Sequence, residues 1–187
     1  KIDFELLSRE FAHTRRKNLL LRDLDELVNQ QLAKMLFANP QRIDYYDRYQ
    51  EIIDAYNAEQ NRATIEKTFM DLMELASSLD TEQQRYVREG FSSDEELSVY
   101  DLLFSENLTK QEIETIKKVS ADLLTKIKQQ IAKLDHWTDK QETKAIVDNL
   151  IRNTLWQELP NSYDVSDIQT YQKKIYEYVY MRYPEVA

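Results

Sequence analysis

Apolar residues recur at three- and four-residue intervals along almost the whole chain, the period of a helix with one buried face. Phe4, Leu7, Phe11 and Thr14 share one side of a first helix that ends in Arg15, Arg16 and Lys17. Leu24, Leu27, Val28, Gln31, Met35 and Leu36 mark a second, which starts near Asp23 and stops at Asn39-Pro40. There the asparagine can cap and the proline can open the next helix, since its missing N–H costs nothing in the first turn. Ile43, Tyr46, Tyr49, Ile52, Ile53 and Tyr56 continue the pattern, and the polar run Asn57 to Asn61 reads as a joint. The predicted division is therefore an N-terminal helical arm over 1–57 and a C-terminal bundle over 58–187.

Beyond the joint, Ile65, Phe69, Leu72, Met73, Ala76 and Leu79 form another stripe, followed by a short segment from Thr81 to Glu89. Gly90 follows that segment and is predicted to close it in the left-handed conformation that glycine adopts without a steric penalty. Ser93 with Glu96, and Thr109 with Glu112, have the spacing of a capping box, so helices are expected to begin near 94 and 110. The second of these is predicted to run to about Leu134, with Ile113, Ile116, Ser120, Leu123, Ile127 and Ile131 facing inward. Thr138 is expected to cap the next helix, which Leu159-Pro160 ends, and a last helix runs from about Val165 until Pro184 stops it. The fold class is thus all-α, a multi-helix bundle of about nine helices with no β-sheet.

Composition sharpens this expectation. Gly90 is the only glycine and there are three prolines, so phosphate-cradling glycine loops and dinucleotide-binding turns are excluded. Absence of cysteine excludes disulfides, thiolate metal sites and a cysteine nucleophile, and is compatible with the cytoplasm, the expected location. No apolar run exceeds four residues, against the roughly 20 needed to span a bilayer, so no membrane partner is expected. The net charge of −9 argues against a broad phosphate-binding surface. Beginning at Lys1 rather than Met, the chain reads as part of something longer.

Candidate chemistry is sparse. Glu10 and His13 have the spacing of a di-metal carboxylate pair, but the second copy such a centre requires is missing, and His136 has Lys133 three residues before it. Neighbouring carboxylates such as Asp94-Glu95-Glu96 fall where a helix start favours negative charge. Two isolated histidines offer no base for a serine nucleophile. No catalytic, cofactor-binding or metal-binding residue is assigned.

Six of the twelve tyrosines lie at or beyond position 163, more than one inward stripe can hold. Tyr171 and Tyr178 share the face of Ile168 and Ile175, whereas Tyr176, Tyr180 and Tyr183 lie one turn apart on another, with Arg182 beside them. Tyrosine and arginine are enriched at the centres of protein interfaces, so these four residues are the candidate docking surface. The opposing reading is that the rings cover neighbouring helices of the same bundle. Arg15, Arg16, Lys17, Lys173 and Lys174 are candidates for a weak DNA contact, and for the first three the competing explanation is pairing with a helix C-terminal dipole.

The stretch Asn39 to Asn57, together with Glu96 to Leu103, His136-Trp137, Leu159 to Tyr163 and Tyr183-Pro184, resembles the C-terminal part of the motor and restriction (R) subunits of type I restriction enzymes. The resemblance implies a parent that is an ATP-dependent DNA translocase and site-specific endonuclease. ATP and magnesium would belong to its motor and nuclease domains, and no cofactor is expected in this region. It also implies partners: the motor domains of the same chain, and the modification and specificity subunits of the methyltransferase core. DNA would be met only through the parent complex. On this reading the region is non-catalytic and couples the motor to the methyltransferase core; the alternative is an accessory helical module that contacts DNA beside the motor.

Overall fold

Helix starts in this protein are set by short polar side chains that turn back on the first free amides. Asp3, Asn61, Ser93, Thr109 and Asp164 all have extended backbone and accept from the N–H three residues on. The computed structural model describes residues 2–185, and among these it contains nine α-helices, one 3-10 turn and no strand. They are α1 (Phe4–His13), α2 (Lys17–Ala38), the 3-10 turn (Pro40–Arg42), α3 (Ile43–Ala58), α4 (Arg62–Gln83), α5 (Arg85–Arg88), α6 (Asp94–Leu103), α7 (Lys110–Ile131), α8 (Gln141–Glu158) and α9 (Val165–Arg182). The all-helical expectation is met.

The chain divides into two compact units, Lys1–Arg85 and Tyr86–Ala187. The division falls within α5, not at the Asn57–Asn61 joint. Those polar residues form a short link between α3 and α4, which pack on each other. Tyr49 and Ile52 of α3 enter the same core as Phe69 and Leu72 of α4, so burial ties together what the polar run suggested was separate.

In Lys1–Arg85, α2 and α3 both pack on α4. Phe11 stacks on Phe69 with ring centroids 3.7 Å apart, joining α1 to the same core. Leu24, Val28, Leu72, Leu75 and Leu79 are almost fully buried, each contributing about 1.5–3 kcal/mol. Asn39 behaves as its sequence context predicts: its N–H donates to the Met35 carbonyl, and its side chain caps the 3-10 turn at Gln41. One element has no signature in the sequence. Arg42 is buried beside Glu82, its Nε donating to Oε1 at 3.0 Å, and Arg85 Nε also donates to Glu82.

Two helix starts in the chain differ from expectation. The second helix begins at Lys17 rather than near Asp23, because Thr14 leaves the helical conformation and its hydroxyl accepts from the Arg16 N–H at 3.0 Å. Lys17 therefore occupies the positive end of α2, where a cation is disfavoured, instead of the negative end of α1. Glu66, 3.3 Å away, and the Phe11 ring, 4.5 Å below its ammonium, compensate. Thr138 does not cap α8. Lys140 precedes that helix without a side-chain cap, and Thr143 instead donates to the carbonyls of Trp137 and Lys140.

Tyr86–Ala187 is built from α6, α7, α8 and α9, each packed on the next, with α9 closing back on α6. The α7 helix ends at Ile131, short of the expected Leu134, and its start carries the complete Thr109–Glu112 capping box. At α6 the box is half formed: the Ser93 side chain accepts from Glu96, but the Glu96 carboxylate accepts from the Ser92 N–H. Gly90, at φ +84°, closes α5 as predicted: the Phe91 N–H donates to the Tyr86 carbonyl and the Gly90 N–H to that of Val87. No atom lies within 4 Å of where a Gly90 Cβ would stand. The constraint at this position is backbone conformation alone.

Gly90→Ala is therefore expected to lower unfolding free energy by about 1–2 kcal/mol, and Gly90→Asn by less, because asparagine tolerates the left-handed region. Chemical denaturation of the three forms measures this order. Glu82→Ala, which removes a carboxylate from the buried Arg42, is expected to cost about 3 kcal/mol in urea titrations followed by circular dichroism. A cost below about 1 kcal/mol would mean the pair is dispensable.

Candidate functional site

The Asp164–Asp167 capping box fixes the start of α9, and Ile168, Ile175, Tyr178 and Val179 turn inward from it. The other end of α9 is held by Trp137, in the turn before α8. Its indole is fully buried, and its Nε1 donates to the Tyr183 carbonyl at 2.6 Å. Tyr176 and Tyr180 meet the indole edge-on, with ring centroids 6.1 and 5.7 Å away, and lie 6.1 Å from each other. Tyr176 is half-buried. Tyr180 keeps 37% of its surface exposed, and the adjoining Met181 keeps 69%.

The four candidate docking residues thus separate into two pairs. Tyr176 and Tyr180 share the indole, and Lys144 lies 5.8 Å above the Tyr180 ring. Tyr183 packs instead on Tyr178, with Lys128 above its ring, and the Arg182 guanidinium sits 5.4 Å over the Tyr178 ring. The residue that organises the surface, Trp137, stood in the sequence without an assigned role. Its signals were a large aromatic in a polar turn and its place in the His136-Trp137 motif of the resemblance.

The basic candidates are dispersed between the units. Arg15 and Arg16 are exposed, whereas Lys17 is engaged by Glu66 and Phe11. Lys173 is 4.0 Å from Glu177, and Lys174 lies 5.6 Å above the Tyr171 ring. Three lysines of α7 pair across the bundle, Lys117 with Glu89, Lys126 with Glu158 and Lys128 with Glu95, and Lys117 also lies 3.9 Å from Glu114 on its own helix. His13 is exposed, and among the described residues no group of three or more His, Cys, Asp or Glu is placed to hold a metal ion. No described helix is long and apolar enough to cross a membrane.

Burial dominates the electrostatics of Tyr49, Tyr163, Tyr176, Tyr178 and Tyr183. It pushes the hydroxyls of Tyr163, Tyr176, Tyr178 and Tyr183 above their ordinary range. Tyr163 also donates to the Leu103 carbonyl at 2.6 Å. In the other unit, burial and the hydrogen bond to Asp25 push Tyr49 up to about 12. Burial disfavours the charged form of Arg182 in the same way. Glu112 is held low by the Thr109 N–H and by the Ser162 and Thr109 hydroxyls.

Fold and surface together define an all-helical protein whose last helix presents a tyrosine face propped on a buried tryptophan. Over residues 1–183 the chain matches the family model described as type I restriction enzyme HindI endonuclease subunit-like, C-terminal, and it belongs to that family. No curated protein and no solved structure matches it. This bears out the resemblance drawn from the short motifs between Asn39 and Pro184, at the level of the C-terminal domain of a type I restriction enzyme endonuclease subunit.

Because the folded tyrosines hold their protons more tightly than the roughly pH 10 of a free phenol, their contribution is complete below that pH. It is lost as pH rises from about 10 toward 12, the value for Tyr49. Unfolding midpoints measured from pH 8 to 11.5 should be level at first and fall beyond about pH 10. A flat profile throughout would contradict the burial of these hydroxyls.

Proposed function

We propose that this domain docks the motor-bearing R subunit to the methyltransferase core of modification and specificity subunits, and that it carries load between them without chemistry of its own. The observation that carries this reading is the Tyr176–Trp137–Tyr180 cluster. A surface tyrosine becomes an effective anchor when its ring is already held in place, because little conformational entropy is lost on binding. Tyr180 is held by the indole yet remains more than one-third exposed, with Met181 beside it. Membership of the type I endonuclease-subunit family supports the parent assignment. A motor that pulls DNA while its complex stays on a recognition site needs a stiff protein link, and packed helices supply one.

On this reading ATP and magnesium act elsewhere in the parent chain, in its motor and nuclease domains, and the parent complex works in the cytoplasm. A DNA-contacting role beside the motor has one observation in its favour, the exposure of Arg15, Arg16, Lys173 and Lys174. Each unit brings only two of these cations together, in a chain of net charge −9, and two cations make a poor phosphate track.

Tyr180→Ala, introduced into the full R subunit, is expected to leave the protein folded but lower its stability by about 1–2 kcal/mol, through loss of the edge contact with Trp137, while weakening binding to the assembled methyltransferase about tenfold. Calorimetric titration and thermal melting read the two effects. Unchanged affinity would remove Tyr180 from the interface, and a parallel loss of folding would assign its ring to the core.

A further inference from the structure

A groove of about 480 Å³ opens between α8 and α9, lined by Lys144 and Asp148 from one helix and by Gln172, Lys173 and Tyr176 from the other. Its charges are unbalanced in a specific way. The carboxylate, Asp148, already accepts from the Gln172 amide at 2.9 Å. Lys144 has no carboxylate within ion-pair distance among the described residues, and its ammonium lies 5.8 Å from the Tyr180 ring. Lys173 reaches only the exposed Glu177, at 4.0 Å. Lys117, Lys126 and Lys128, by contrast, are each paired with a glutamate from another element of the same unit.

The Lys144 ammonium, without a carboxylate partner among the described residues, and the Lys173 ammonium, held only loosely by the exposed Glu177, therefore line a groove with a half-buried tyrosine in a chain of net charge −9. Gln141 and Gln169 complete the rim with amide groups whose side chains have no hydrogen-bond partner among the described residues. Such a groove offers donors and aromatic surface, and what complements it is a segment rich in carboxylates. A nucleic-acid backbone fits less well. It needs a row of cations to displace its condensed counterions, and here it would meet two lysines, on a lining that also carries Asp148.

We propose that the α8–α9 groove receives an acidic segment of the methyltransferase core, whose carboxylates pair with Lys144 and Lys173 while Tyr176 and Tyr180 pack against the residue between them. This rests on the docking reading above and names the surface and the chemistry of the segment it takes. Such charge pairs fix register and speed encounter, and the aromatic rings supply the desolvated centre.

The test uses the full R subunit carrying Lys144→Glu with Lys173→Glu, the parent, and a control, Lys118→Glu, on the exposed face of α7. Each is titrated with methyltransferase assembled from modification and specificity subunits at low and moderate salt, and separately with a DNA duplex. The double reversal is expected to weaken methyltransferase binding tenfold or more at low salt, with duplex affinity and the control unchanged. Parent-like binding by the double variant, with the parent itself binding, overturns the groove while leaving docking intact. Failure of the parent to bind overturns the docking reading and the groove with it. Loss of duplex affinity with methyltransferase binding retained assigns the groove to nucleic acid and also overturns the proposal. Should the double reversal melt early, Lys144→Gln with Lys173→Gln is read by the same criteria.

Discussion

The surface assigned to docking depends on the burial of one indole. Trp137 comes from a turn, not a helix, and its N–H donates to the carbonyl of Tyr183 at the far end of α9. That bond satisfies a carbonyl that a helix terminus otherwise leaves to solvent, and it ties the close of the last helix to the entry of α8. Two tyrosines then lean edge-on against the same ring system, an arrangement that adds about 0.5–1.5 kcal/mol per pair beyond area burial. Remove the indole and α9 loses its end restraint and its tyrosines their support together. Stability of the bundle and readiness of its surface are thus the same set of contacts.

The two units solve their polar problems differently. Lys1–Arg85 buries a charge cluster, with Arg42 and Arg85 both donating to Glu82, together with Asn39, Thr68 and Tyr49 in a largely aliphatic and aromatic core. Tyr86–Ala187 keeps its lysine–glutamate pairs at the surface and buries tyrosines whose hydroxyls are pushed toward the neutral form. Surface pairs contribute little individually, so the second unit rests on packing. That leaves the Lys144 ammonium without a carboxylate partner among the described residues and Lys173 with only the exposed Glu177 at 4.0 Å. A groove with spare positive charge is tolerated because the core beneath it does not depend on it.

What could be read in the sequence was local. The helical period, the Asn39-Pro40 junction, the Thr109–Glu112 box and the left-handed Gly90 all depend on residues within one turn of each other, and each is found in the structure. Several features that the sequence left unmarked depend on remote partners. Lys17 opens α2 with Glu66, 49 positions away, as compensation. Arg42 is buried because Glu82 lies 40 positions on, and Trp137 finds its acceptor 46 positions later. The polar joint at Asn57–Asn61 looked like a boundary because composition reports solvent exposure, whereas a boundary is set by which helices share a core. Of the site, the tyrosines were legible as an excess on one helix. Their division between Trp137 and Tyr178 was not, since both supports are defined only once α9 is packed.

The central claim is that α8 and α9 meet the methyltransferase core. Amide hydrogen exchange of the full R subunit, with and without that core bound, tests it most directly. New protection is expected in 141–158 and 165–183, with exchange in the buried centre of α7 unchanged. Protection confined to Lys1–Arg85, or none in either unit when the complex has demonstrably formed, would contradict it.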